Sequence, residues 1–108
     1  MILEGHVRDG FPRITMALPG RNGPLVSVEF IVDTGFDGEF ALPGNLIPTL
    51  DIRAPSAYHE IMLDWEHETR RTEVLEIDGH PLLGVVFLLE TLLQVEMRDG
   101  GEVLVEPL

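Results

Sequence analysis

The sequence predicts a mainly β domain with one short helix, and three observations point there. Strand-length segments carry apolar residues at alternate positions, clusters of Gly, Pro, Asn and Asp separate them, and only one stretch has helical spacing. Sandwiches and closed barrels are the architectures that suit such a pattern.

Taken in chain order, Ile14, Met16 and Leu18 alternate with Thr15 and Ala17, which predicts a strand over 13–18. The next six residues, PGRNGP, form a turn in which Asn22-Gly23 tolerates the positive φ of a hairpin. Over 25–32, Val26, Val28, Phe30 and Val32 share one face and Ser27, Glu29 and Ile31 the other. These two segments make an opening hairpin whose second strand runs into Asp33.

Phe40, Ala41 and Leu42 suit a short strand, and 43–52 has room for one helical turn because Pro48 forbids more. Segments 57–65 and 70–77 read as strands joined by the polar run Glu66-His67-Glu68-Thr69. Asp78-Gly79-His80-Pro81 is a turn. Leu88, Leu89, Leu92 and Leu93 have helical spacing and predict a short helix over 86–93. Segments 95–98 and 103–106 flank Asp99-Gly100-Gly101 and predict a closing hairpin.

At 108 residues the chain is expected to form one domain over its whole length. A hydrophobic content of 44% argues for a folded core rather than a disordered chain. The net charge of −12, with arginine the only basic side chain apart from histidine, disfavours nucleic-acid backbones as partners. Cysteine is absent, so no disulfide framework or thiolate site is available. No apolar run is long enough to cross a bilayer, and MILEGHVRDG does not read as a secretory signal. A soluble cytoplasmic protein without membrane contact is the expectation.

Chemistry-bearing residues are few. His59, Glu60, Asp64, Glu66, His67 and Glu68 cluster in sequence but match no compact metal motif, so a solvated hairpin tip is expected there. His6 and His80 sit beside turn formers, and Trp65 with Tyr58 suits core packing better than a binding face. No phosphate-binding loop or Ser/His nucleophile pair stands out, and neither metal nor cofactor is expected.

The stretch IVDTGFDGEFALP, residues 31–43, is different. A carboxylate at the end of an apolar strand is costly unless something is gained. Asp33 either opens an Asx-turn, an ordinary role before glycine, or is held by the strand as a general base that activates water. The surrounding sequence bears on the choice: VEFIV precedes Asp33-Thr34-Gly35, FDGEFALP follows, and an apolar pair plus glycine, Leu82-Leu83-Gly84, comes later.

That combination resembles the retropepsin-like aspartic proteases, the single-domain relatives of pepsin. It looks closest to their small bacterial and archaeal aspartyl-protease-like members. IVDTGFDGEFALP, PLLGVVFL and GGEVLVEPL carry the resemblance, which runs from about Gly10 to the C-terminus. It implies a closed acid-protease barrel, peptide or unfolded protein as substrate, and Asp33 as the catalytic carboxylate. Thr34 would lock two active-site loops together, and Gly35 would allow close approach of the substrate backbone. Asp37 and Gly38 would bind substrate. Leu83 and Gly84 would support the Asp33 loop from behind.

The chemistry of that family needs two carboxylates around one water, and the chain has a single Asp-Thr-Gly. The resemblance therefore implies a two-fold homodimer with one Asp33 from each copy. MILEG and EVLVEP are candidates for its interface, because retropepsin dimers are often tied by their termini.

Three departures accompany the resemblance. Phe36 stands where viral members have a small residue, and Val85-Val86-Phe87 replaces a polar or acidic residue after the glycine. The flap, a hairpin that closes over substrate, has no counterpart expected in RAPSA between Ile52 and Tyr58. The alternative expectation is thus a catalytically weak or inactive protease-like fold that serves as a binding or dimerisation module.

Overall fold

A computed structural model of the chain describes residues 2–54 and 58–108. Its strands are β1 (Leu3–Arg8), β2 (Phe11–Leu18), β3 (Val26–Asp33), β4 (Phe40–Pro43) and β5 (Ile52–Arg53). They continue with β6 (His59–Trp65), β7 (Glu68–Ile77), β8 (Leu82–Gly84), β9 (Thr91–Val95) and β10 (Glu102–Pro107). One α-helix, α1 (Val85–Leu88), and a 3₁₀ turn at Ile47–Thr49 complete the described elements.

All ten strands join one sheet in the order β5-β6-β7-β4-β8-β3-β2-β1-β10-β9. The fold is mainly β, as expected, but the sheet is open. Among the described residues its end strands β5 and β9 do not pair, so the expected closed barrel is not formed. The physical reason is visible at one end, where β5 is only two residues long and offers almost no ladder. The sheet nevertheless curls. Met16 of β2 and Trp65 of β6, separated by four strands in the order, line one apolar cavity of about 340 Å³.

One core fills the concave face. Ile14, Leu18, Phe30, Phe40, Leu42, Ile61, Leu83, Phe87, Val103 and Val105 are fully buried. The opening hairpin forms in the register that its alternation demands, from Arg13↔Ile31 to Leu18↔Val26. Val28, Phe30 and Val32 go inward, while Glu29 stays exposed. The Glu66–Thr69 connection tightens to a two-residue tip, with Glu66 and His67 both at positive φ.

Three expectations are corrected. The helix predicted over 86–93 ends at Leu88, and 91–95 is strand β9. Glu90 adopts φ 64°, which breaks the helix, and Leu93 and Val95 then pack inward with the period of a strand. The closing hairpin consequently slides, with Thr91↔Pro107 and Val95↔Val103 as its limits. Strand β1 was not expected at all. It inserts between β2 and β10, and Gly5 permits the close crossing: a Cβ there would lie 1.7 Å from the Arg13 carbonyl oxygen.

Candidate functional site

Strand β3 delivers Asp33 at its C-terminal end, beyond the buried Val28, Phe30 and Val32. The chain then turns at Thr34-Gly35. The Gly35 N–H donates to Asp33 Oδ1 at 2.9 Å, and the Phe36 N–H donates to the Asp33 carbonyl at 3.1 Å. This is the Asx-turn geometry weighed above, and it also fixes the direction of the carboxylate. Asp33 is half-buried, and Gly35 supplies the one hydrogen bond that reaches its carboxylate among the described residues.

Strand β8 threads between β3 and β4, two strands that are consecutive in sequence. It runs parallel to β3, with Val32↔Leu83 and Asp33↔Gly84 in register, and antiparallel to β4, with Phe40↔Leu83. The loop 34–39 therefore wraps the end of β8. Its carbonyls satisfy the amides that lead into α1. Gly84 N–H donates to Glu39 O at 2.8 Å, Val85 N–H to Phe36 O at 2.9 Å, and Val86 N–H to Gly38 O at 3.0 Å.

Glycine at position 84 is required by this contact. A Cβ there would fall 2.1 Å from Gly38 O and 2.7 Å from the Phe36 ring. Gly38 is constrained in turn, since its Cβ would lie 2.6 Å from Phe36 Cζ. The bulky Phe36 thus packs over both glycines. Leu83 is fully buried directly beneath the loop.

The loop is anchored at its far end by residues that the sequence did not single out. Glu39 accepts a hydrogen bond from Arg70 Nη2 at 3.0 Å and another from the Glu73 N–H at 3.3 Å. The Arg70 guanidinium lies 4.1 Å from the centre of the Phe87 ring. Phe87 in turn meets Phe40 and Trp65, each at 5.2 Å between ring centroids. Trp65 is therefore a core-packing residue, whereas Tyr58, expected to pack with it, is 38% exposed. No local motif announces Arg70, because its role arises only where β7 meets α1.

The structure brings Asp33, Gly35, Gly38, Leu83 and Gly84 into one constellation. Thr34 and Asp37 are exposed beside it and make no hydrogen bond to the described residues. The segment in which no flap hairpin was expected, between Ile52 and Tyr58, falls partly outside the described residues. Beside it, Ile52 and Arg53 pair antiparallel with Ile61 and Glu60, and residues 55–57 are not described. His67 and its acidic neighbours occupy the exposed β6–β7 tip. No described helix is long and apolar enough to cross a membrane. No protein-family model, curated protein or solved structure matches the chain.

Proposed function

We propose that the chain is one half of a homodimeric aspartic endopeptidase of the retropepsin-like type, acting on peptide or unfolded protein in the cytoplasm. The observation that carries this is the seating of the Asp33-Thr34-Gly35 turn on Gly84, with β8 threaded between the two strands that the turn connects. A turn needed only to reverse the chain does not require a strand from a distant segment to abut it through a glycine. The exposed Thr34 is free to bond across a two-fold axis, and the Asp33 carboxylate keeps acceptor capacity beyond its single bond to Gly35. The open sheet would, on this reading, be a variant of the acid-protease barrel.

Two Asp33 carboxylates facing one water would share a single proton, because two close carboxylates do not both ionise. The ionised one takes a proton from the water, whose oxygen bonds to the peptide carbonyl carbon. The protonated one gives its proton to the carbonyl oxygen, forming a tetrahedral diol. Collapse breaks the carbon–nitrogen bond as the leaving nitrogen takes the proton that the first carboxylate drew from water. A diol hydroxyl passes its proton to the other carboxylate, which restores the shared proton. Asp37 and Gly38 would hold substrate main chain, and Leu83 and Gly84 keep the loop rigid. The chemistry needs no metal or cofactor.

One observation favours the second reading, a protease-like binding or dimerisation module. The β5–β6 ladder is only two pairs deep, a small cover for a bound peptide. Cleavage of an unfolded protein at mildly acidic pH separates the two. Activity lost in Asp33→Asn at unchanged oligomeric mass supports the enzyme, and equal inertness of wild type and variant across the acid range leaves the binding module.

A further inference from the structure

We infer that two copies of the chain associate by pairing the open edges of strand β9 about a two-fold axis. This rests on the homodimer of the proposed function and names the surface that forms it. The terminal strands, candidates by resemblance, are already used within the chain: β1 lies between β2 and β10, and β10 between β1 and β9. Among the described strands, β5 and β9 end the sheet. The former has two residues, one of them Arg53, whereas β9 has five.

Edge strands are ordinarily protected by charge, proline, a bulge or shortness. Strand β9, Thr-Leu-Leu-Gln-Val, carries no charge and no proline, in a chain with 19 acidic residues and a net charge of −12. Repulsion between two such acidic chains is small along a strand without carboxylates. At its ends Glu90 falls opposite Glu96 of the second copy, and Arg98 Nη2 offsets the Glu96 charge at 3.4 Å. Exposed apolar side chains surround it: Leu92 is 41% exposed, Leu89 62%, Met97 67% and Leu108 84%. The Leu108 N–H donates to the Glu90 carbonyl, which holds this last residue beside the start of the strand.

The free side of the ladder can be assigned. Glu96 N–H donates to Glu102 O, so alternation points the amides of Leu92 and Gln94 toward β10. Those of Thr91, Leu93 and Val95 point away from it, toward the open edge. An antiparallel copy centred on Leu93 satisfies these groups reciprocally, which makes the interface self-complementary. Along the chain β9 begins three residues after α1 ends, and in the sheet it lies four places from β3, which carries Asp33.

The test is the mass of the purified full chain in solution across micromolar concentrations, for wild type and for Leu92→Lys/Gln94→Lys. Both side chains are exposed, and lysines on an edge oppose pairing. Wild type is expected at twice 12.0 kDa and the variant at 12.0 kDa with an unchanged circular dichroism spectrum. Should the variant not fold, amide exchange of the wild type decides: Leu93 and Val95 become protected as concentration rises. A monomeric wild type, a variant that stays dimeric, or exchange at Leu93 independent of concentration each overturns the inference. A dimeric variant alongside cleavage lost in Asp33→Asn would leave the enzyme intact and this surface wrong. Dissociation of the variant without acid-dependent cleavage by wild type would do the reverse.

Discussion

The Glu39 carboxylate receives Arg70 Nη2 at 3.0 Å, and this pair ties the loop after Asp33 to strand β7. Glu39 also gives its backbone carbonyl to the Gly84 amide, so one residue holds the loop at both its main chain and its side chain. Arg70→Ala strips a partly buried carboxylate of its charged partner and removes the stack on Phe87. A loss of about 1–3 kcal/mol is expected, read as a lower urea midpoint at unchanged slope. Arg70→Lys should recover only part, since an ammonium lacks the planar face. Equal stability of all three proteins would mean the pair does not anchor the loop.

Gly84→Ala places a methyl group against the Gly38 carbonyl and the Phe36 ring. Phe36 can rotate away, but the Gly38 backbone cannot move without losing its bond from Val86. The cost is expected to be about 3 kcal/mol or more, measured by thermal or denaturant unfolding. The double variant Phe36→Ala/Gly84→Ala should remain destabilised, because the backbone clash persists. Full rescue by Phe36→Ala would assign the strain to the ring alone.

Thr72 is fully buried on β7, and its Oγ1 finds no hydrogen-bond partner among the described residues. Valine has nearly the same shape, keeps the β-branch and carries no hydroxyl to desolvate. Thr72→Val is therefore expected to raise stability by about 1 kcal/mol. A higher melting temperature would show it, and a lower one would reveal a bond made by the hydroxyl.

Glu29 provides a pH-dependent contribution. Its hydrogen bond from Arg8 holds its carboxyl below the usual range; burial opposes this, while the charges of Arg8 and Arg13 add to it. A carboxyl with a depressed folded-state pKa stabilises the fold fully above its ordinary unfolded value. That contribution fades as pH falls through the depressed value. Because Glu29 is 42% exposed, Glu29→Gln should cost less than about 1 kcal/mol at neutral pH. The difference from wild type should vanish in strong acid and shrink with added salt. A gap constant across pH would place the effect elsewhere than in the ion pairs.

Much of the fold was legible because its signals are local. The β2–β3 register follows from strict alternation on both arms and an Asn-Gly turn between them. The same locality misled at 86–93, where leucines satisfy both helical and strand spacing. The contest was decided by the positive φ of Glu90 and by the pairing of β9 with β10. Strand β1 was missed because only Leu3 and Val7 in it are buried, too sparse a pattern to announce a strand.

The sequence by itself determined a mainly β chain, a turn at Asp33 and a glycine after an apolar pair, since each is written in neighbouring residues. Only the tertiary structure decided that Asp33 and Gly84 lie side by side in parallel register. It alone joined Glu39 to Arg70, left the sheet open, and made β9 rather than a terminal strand its edge. The physical reason is that alternation fixes which face of a strand is buried but not which strand lies beside it. That choice rests on how the whole core packs, and the candidate site exists only where those choices meet.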